Sequence, residues 1–506
     1  MHLSKVYSAE LEGIKARLIE VEVDLNVGLH SFNIVGLADK ALSEAKERVS
    51  SALKNSGFKP PTKENRKITV NLAPADVKKT GSQYDLAIAI GYLIASDQIK
   101  NFPTEDKLFL GELSLNGDLR PLMGALNFAV LAKKSGAKEI FLPKANAGEA
   151  GLIQGIKVFP LNNLAEAINH LSELKPLEVF PKMEFTSSPI TDLDIDDVRG
   201  QESAKRALVV AAAGGHNLLM SGPPGSGKTM LAKALNSLLP PLSLEESMEA
   251  SEVWSAAGLL NGSHLEARPF RSPHQTASPV SIVGGGQNPR PGEISLAHRG
   301  VLFLDELPEF RRDLLEALRQ PLESGEITVS RIKGNLTYPA RFILIAAMNP
   351  CPCGYYGDQE KECRCSAYEV FKYQKKISGP LLDRIDIQIN VPRTDFDNLK
   401  GVRPVTGESL KTLVKNARGL QRKRFGENKL DILTNAELSS KNCDELIHLT
   451  DGANKLLKEI FEKSLLSGRG YYRLLKTALT IADLEEKDEI EASHIAEAFQ
   501  LRVRET

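Results

Sequence analysis

The segment Gly222-Pro-Pro-Gly-Ser-Gly-Lys-Thr229 fits G-x-x-x-x-G-K-[ST], a loop whose backbone N–H groups surround phosphates at the start of a helix. Val301-Leu-Phe-Leu-Asp-Glu306 sets two carboxylates behind four apolar residues, the pattern of a buried parallel strand with acids at its carboxyl edge. In such a pair Lys228 reaches the β and γ phosphates of ATP, and the Thr229 hydroxyl ligates Mg2+. Asp305 holds that ion through its hydration shell, and Glu306 orients and polarises the attacking water. Gly222, Pro223, Pro224, Gly225, Ser226 and Gly227 make the cradle. Two acids capping a helix N-terminus is the weaker reading of Asp305 and Glu306, because Pro308 and the amphipathic run Leu314 to Leu322 lie beyond.

Further polar residues stand where this chemistry can use them. Asn349 ends the apolar run Phe342 to Met348, and at the tip of a strand beside the P-loop it can hydrogen-bond the γ-phosphate or the water. Alone it would read as a turn-starting Asn before Pro350. Arg384 lies in Gly379-Pro-Leu-Leu-Asp-Arg-Ile-Asp386. Placed on a neighbouring subunit's γ-phosphate, such a cation accelerates hydrolysis by ~10³ to 10⁵; the plainer reading is a surface arginine paired with Asp383 or Asp386.

Cys351-x-Cys353 and Cys363-x-Cys365 crowd four thiols into the loop 351–365. That set suits structural, tetrahedral Zn2+, with an iron–sulfur cluster or free thiols as alternatives. Four protein ligands leave no open coordination position, so a catalytic metal is not expected there. Cys443 stands apart as a small hydrophobe. The alternating run Glu326 to Tyr338 predicts a β-hairpin turning at Gly334-Asn335, with Arg331 and Lys333 near its tip. Cations at a hairpin tip can follow DNA phosphates without reading sequence; solubility is the plainer use. Thr276 to Glu293, with Val280-Ser-Ile-Val283 and Gly284-Gly-Gly286, predicts a mobile loop that touches a partner or a neighbouring subunit.

Elements must carry these residues. Strand-like runs at Ile19 to Leu25, Ile68 to Leu72 and Leu108 to Leu113 alternate with helix-like ones at Lys40 to Lys54, Asp85 to Ser96 and Gly124 to Ser135. Residues 1–172 therefore read as a mixed α/β domain without its own P-loop. The proline-containing stretch 173–195 reads as a linker, 196–395 as the P-loop α/β core, and 396–506 as a helical lid with periodic runs at Ala453 to Leu466, Arg473 to Leu484 and Ala492 to Leu501. A net charge of −1 gives no global pull toward nucleic acid, so any such contact rests on local patches. No run approaches the ~18 apolar residues of a membrane span, and Met1 to Glu10 shows no secretory pattern. Cytoplasmic residence, without a membrane partner, is the expectation.

Val198-Arg-Gly-Gln201, the P-loop, Asp305-Glu306, Asn349 and Leu381-Leu-Asp-Arg384 resemble the AAA+ ATPases of the magnesium-chelatase-like branch. With Ala347-Met-Asn-Pro-Cys-Pro-Cys-Gly354, the whole chain resembles the bacterial YifB/ComM family. The resemblance implies a homo-hexameric ring in which Arg384 acts in trans. It also implies that Arg469, in Ser467-Gly-Arg-Gly-Tyr-Tyr-Arg473, is the lid's sensor arginine, with Arg473 close enough to compete. Val198 and Gln201 would meet the adenine end. The implied function is ATP-driven branch migration and helicase activity on single-stranded, forked or branched DNA. Its setting would be homologous recombination, particularly DNA integration in natural transformation (competence), with recombination proteins as partners.

Asn71 to Asp85 and Gly111 to Arg120 resemble the proteolytic domain of Lon, of the ribosomal S5 domain 2-like fold. Gln83 or its neighbours replaces that fold's serine and Arg120 its lysine. Ser82 is near, but an arginine is too basic to act as its general base, so no peptidase activity is expected. Two other functions compete: protein remodelling or protease regulation, suggested by the Lon-like domain, and metal insertion as in magnesium chelatase. For the latter the chain shows neither a von Willebrand-type domain nor a porphyrin-binding feature.

Overall fold

The computed structural model describes residues 3–36, 42, 44–63, 65–188, 193–286, 289–331, 334–393, 406–463 and 466–502, the side chains of 63, 331 and 334 excepted. Two compact units make up the chain: residues 1–186 with 248–265, and residues 187–247 with 266–506.

In the first unit, alternation in Lys15–Val27 buries Ile19, Val21, Val23 and Leu25 on one face, as a half-covered strand requires. It pairs antiparallel with Leu3–Glu12 and with Arg66–Ala73, and Ser31–Val35 runs parallel to the latter at the sheet edge. Helix Asp85–Ala95 is apolar all round and buried along its whole length, so it forms the centre of this unit. It comes close to the sheet at Gly91, where a Cβ would stand 2.8 Å from Val23 Cγ2. A second, parallel sheet joins Lys107–Phe109, Glu139–Pro143 and Lys157–Leu161.

Buried carboxylates organise the polar interior of this unit. Glu10 accepts from Thr80 N at 3.1 Å, Thr80 Oγ1 at 2.7 Å, Gln83 Nε2 at 3.0 Å and the Tyr84 hydroxyl. Asp85, with a fully buried side chain, takes both an Nε bond (2.7 Å) and an Nη2 bond (3.1 Å) from Arg48. Residues 248–265 close the unit: Gly124 N donates to Ser255 O at 2.8 Å, and Asn127 Nδ2 to Glu252 O at 3.2 Å. Part of the expected linker is fixed as well, since Phe180 N and Met183 N donate to Val158 O (2.8 Å) and Gly151 O (3.1 Å).

The second unit is built on five parallel strands in the order Phe270–Arg271, Val301–Leu304, Ile343–Met348, Leu218–Ser221 and Ile387–Asn390. Val301–Leu304 and Ile343–Met348 are buried throughout, as strands covered on both faces must be. Helices Glu202–Gly214 and Lys228–Leu238 bury Leu208, Val210, Leu231 and Leu235 in the same apolar core. Helices Gly407–Glu427, Asp451–Lys463, Gly468–Leu484 and Ala492–Gln500 form the carboxy-terminal part and share that core.

Two expectations change. The hairpin pairs Glu326–Arg331 with Gly334–Pro339, Arg331 opposite Gly334 and Ser330 opposite Asn335. The expected turn residues Gly334 and Asn335 are therefore ladder residues, not the turn. Lys333 lies outside the described residues, and Arg331 is described only by its backbone. The Thr276 to Glu293 segment folds into a short helix, Pro279–Val283, and a two-residue ladder, Gly284–Gly285 with Arg290–Pro291. Ile282 is buried there and Val280 is exposed. Close backbone approach explains its glycines: a Cβ on Gly292 would lie 2.3 Å from Gly284 N. Residues 287 and 288 lie outside the described residues.

Candidate functional site: a phosphate loop facing an acidic strand end

Strand register brings the candidate residues together. Leu304 pairs with Ala346, and Met348 with Ser221, so the three strands end at one edge of the sheet, where open α/β sheets bind ligands. The P-loop, Asp305-Glu306 and Asn349 all emerge there.

The loop has the shape its composition calls for. Gly225 and Gly227 have φ of +80° and +88°, with no neighbour within 4 Å of a would-be Cβ. At these positions glycine holds a left-handed turn and leaves its backbone N–H groups open to an anion. Gly222 serves packing, since a Cβ there would lie 2.2 Å from Val391 O. Lys228 opens helix Lys228–Leu238; its Nζ donates to Gly222 O at 2.7 Å and Pro223 O at 2.9 Å, and lies 3.3 Å from Asn349 Oδ1. Burial lowers the pKa of this ammonium, while Asp305 and Glu306 oppose the shift.

Thr229 Oγ1 donates to Asp305 Oδ2 at 2.9 Å. This sets a hydroxyl and a carboxylate at one point, the oxygen donors a Mg2+ shell uses. Asp305 Oδ1 accepts the Glu306 N–H at 3.0 Å, and Glu306 is a non-glycine residue with φ +53°. A left-handed conformation of this kind costs about 1–3 kcal/mol and concentrates at functional sites. A cavity of about 420 Å³ opens beside Glu306 and Asn349, bordered by Glu309, Lys372, Tyr373 and Lys376. Burial, with Glu309 and Glu306 adding to it, pushes the Tyr373 phenol up to about 12. Gln201 Nε2 donates to Ser226 O at 3.4 Å and Pro392 O at 2.6 Å, which ties it to the loop, whereas Val198 is buried in the apolar core.

Both candidate arginines are elsewhere in this unit. Arg384 donates through Nη1 to Pro380 O at 2.8 Å and through Nη2 to Glu323, not to Asp383 or Asp386. Arg469 Nη2 stands 3.2 Å from the other oxygen of Glu323. Arg473 pairs with buried Asp386, which also accepts Asn217 N at 2.9 Å. Burial raises the Asp386 carboxyl, but Arg473 and His216 beside it bring the pKa below the usual range. The two arginines that compete in sequence are thus separated: Arg473 points inward, while Arg469 is 57% exposed and shares Glu323 with Arg384. Glu323 belongs to no motif, and nothing in Pro321-Leu-Glu-Ser324 marks it before the fold is known.

The cysteine sulfurs converge. Cys351 lies 3.4 Å from Cys353 and 3.7 Å from Cys363, Cys353 lies 3.6 Å from Cys363, and all four sulfurs, Cys365 included, fall within 4.8 Å of one another. A tetrahedral ion with bonds of ~2.3 Å holds its sulfurs ~3.8 Å apart, so one such ion fits. The loop presses on the P-loop: a Cβ on Gly354 (φ +86°) would sit 2.6 Å from Pro224 Cδ.

A parallel sheet whose carboxyl edge carries a P-loop, an acidic pair and an asparagine, followed by a helical carboxy-terminal region, defines a magnesium-chelatase-type α/β protein. Family profiles agree: "Magnesium chelatase, subunit ChlI" matches residues 194–399, "Subunit ChlI of Mg-chelatase" 21–146, and "Magnesium chelatase, subunit ChlI C-terminal" 405–502. Competence protein ComM of Haemophilus influenzae is 44% identical over 509 residues, covering 99% of this chain and 98% of that one. Protein YifB of Escherichia coli, described as uncharacterized, is 44% identical over 507 residues, with 99% and 97% covered. The magnesium-chelatase 38 kDa subunit of Cereibacter sphaeroides is more distant, 26% identical over 219 residues and covering 39% of this chain. The chain belongs to the YifB/ComM family of magnesium-chelatase-like proteins.

Proposed function

We propose that this protein is an AAA+ ATPase that assembles as a homo-hexameric ring and drives DNA branch migration and unwinding in homologous recombination, including integration of DNA during natural transformation. The observation that carries the reading is the meeting of Lys228, Thr229, Asp305 and Asn349 at one sheet edge, in a chain related over its full length to a competence protein.

Lys228 and the loop N–H groups bind the ATP phosphates, and Thr229 with Asp305 holds Mg2+, which neutralises phosphate charge. Glu306 polarises the water and Asn349 fixes its direction. Arg384 enters the neighbouring subunit's pocket, with Arg469 as the lid's sensor. The lack of any hydrogen bond or ion pair between Arg384 or Arg469 and the P-loop cluster among the described residues supports a role away from the subunit's own nucleotide. Val198 and Gln201 serve the adenine end. Cys351, Cys353, Cys363 and Cys365 hold a structural Zn2+ that stiffens the loop packed on Pro224 and so steadies Asn349. The channel contact to DNA is assigned to Arg331 and Lys333.

The domain reading (1–172, linker 173–195, core 196–395, lid 396–506) follows the same line, with the first domain as a Lon-protease-like fold lacking a dyad. Supporting that, Gln83 donates to Glu10, Ser82 and Arg120 both bond Glu112, and Lys79 Nζ bonds Pro74 O. Among the described residues no helix is long and apolar enough to cross a membrane, which accords with a cytoplasmic site of action.

Fork- and Holliday-junction-unwinding assays test the proposal. Strand separation with ATP, none with a non-hydrolysable analogue, and faster turnover on forked or single-stranded DNA are expected. Turnover stimulated by unfolded protein and indifferent to DNA would instead make this a protein-remodelling ATPase.

A further inference from the structure

We infer that Glu323 is a positioning residue that gathers Arg384 and Arg469 into one two-cation clamp for the nucleotide bound by a neighbouring subunit. The inference rests on the ring reading given above.

Three elements far apart in sequence meet at this carboxylate. Glu323 lies in the short helix Pro321–Ser324, Arg384 follows the turn Gly379–Leu382, and Arg469 stands in the first turn of Gly468–Leu484. Each carboxylate oxygen goes to a different guanidinium: Oε2 to Arg384 Nη2, Oε1 to Arg469 Nη2 at 3.2 Å. Two guanidiniums this close repel, and a shared carboxylate removes that repulsion while leaving the cluster net positive. A net-positive cluster at a half-exposed site is suited to a polyphosphate.

The three partners differ in what else holds them. Arg384 has a side chain only 9% exposed, with Pro380 O as its other partner and an Nε–H that bonds nothing among the described residues. A buried donor left open in this way calls for an explanation, and a ligand group presented to this cluster would supply one. Arg469 is 57% exposed, and Glu323 is its sole ion-pair or hydrogen-bond partner among the described residues. Without Glu323, Arg469 would range through solvent and Arg384 would keep a single anchor. Both guanidiniums would then reach the neighbour's γ-phosphate in the wrong place, and misplacement by about 1 Å costs up to ~10²-fold in rate.

The test is kinetic. Glu323→Ala should lower kcat for ATP by ~10- to 100-fold with KM unchanged, because it disturbs a group offered to the next subunit and not the subunit's own binding loop. Combining Glu323→Ala with Arg384→Ala should be no slower than Arg384→Ala alone, since residues acting as a unit are non-additive. Mixing Glu323→Ala chains with Lys228→Ala chains should restore turnover, because the first supplies intact P-loops and the second intact clamps. Glu323→Gln, of nearly the same shape, covers the case in which alanine prevents assembly and should show the same split with a smaller loss. Equal or faster turnover by both Glu323 variants, slowing that adds to that of Arg384→Ala, or no rescue in mixed rings would overturn the role of Glu323. Normal turnover by Arg384→Ala alone would remove the ring reading and this inference with it.

Discussion

The carboxylates at the centre of the first unit and those at the open sheet edge of the second are held in opposite ways. In the first, Glu10 is buried and takes four hydrogen bonds from Thr80, Gln83 and Tyr84, and Asp85 is held by two donors on one edge of Arg48. These partners belong to the same unit, and they leave little capacity for a ligand. In the second, Asp305 and Glu306 stand partly open at a sheet edge, Glu306 in a left-handed conformation, and Glu323 is half exposed between two arginines. Buried and satisfied carboxylates specify a fold; open ones, held beside cations in a strained or incomplete arrangement, are placed for chemistry.

The comparison breaks most visibly at the phosphate loop. Lys228→Ala should abolish nucleotide binding, whereas Glu306→Gln should keep binding and lose ~10²- to 10⁴-fold in turnover, measured by labelled-nucleotide binding and phosphate release. Normal hydrolysis by Glu306→Gln would leave the open carboxylate without its role. Cys353→Ser should take bound zinc from about one ion per chain to well below that by elemental analysis, since structural zinc binding is worth ~10–16 kcal/mol in small peptides. Protein purified without stoichiometric zinc would remove the metal.

In the first unit, Arg48→Ala leaves Asp85 buried without its cation, with only the Leu113 N–H at 3.2 Å, and should cost about 3–5 kcal/mol with kcat per folded molecule unchanged. The single tryptophan, Trp254, lies in the 248–265 segment of that unit, so its fluorescence in urea follows the loss. An equal effect on turnover would erase the contrast between the units.

The smallest effect concerns His216, whose fully buried ring is pushed down from 6.5 to about 4, by burial first, against the pull of Asp386. The unfolded chain binds the extra proton first, so stability is intact above about pH 6.5 and falls as pH drops toward 4, by up to ~3 kcal/mol. Asp386, held below the usual carboxylate range, adds its loss only at lower pH. His216→Gln should flatten the slope between pH 6.5 and 4 in urea titrations.

The placement of the candidate site residues is legible where it is local. The P-loop, Asp305-Glu306 and Asn349 each join an apolar strand to a short polar signal, and the periodic helical runs were equally plain. What could not be read depends on contacts distant along the chain. Glu323 acquires meaning only when Pro321–Ser324 meets Arg384 and Arg469, and Arg473 is told from Arg469 only by the buried Asp386. Gly334 and Asn335, a turn signal in sequence, are ladder residues in the fold.

The excursion of residues 248–265 into the first unit has a consequence for biosynthesis. Growing from its amino end, the chain cannot complete that unit at residue 186; Ser255 and Glu252, which seat helix Ala125–Ser135, arrive only after the P-loop has been made. A fragment ending at 186 therefore lacks a wall of its own core, and a nascent chain must keep an unfinished amino-terminal half in solution while translation runs through Lys228.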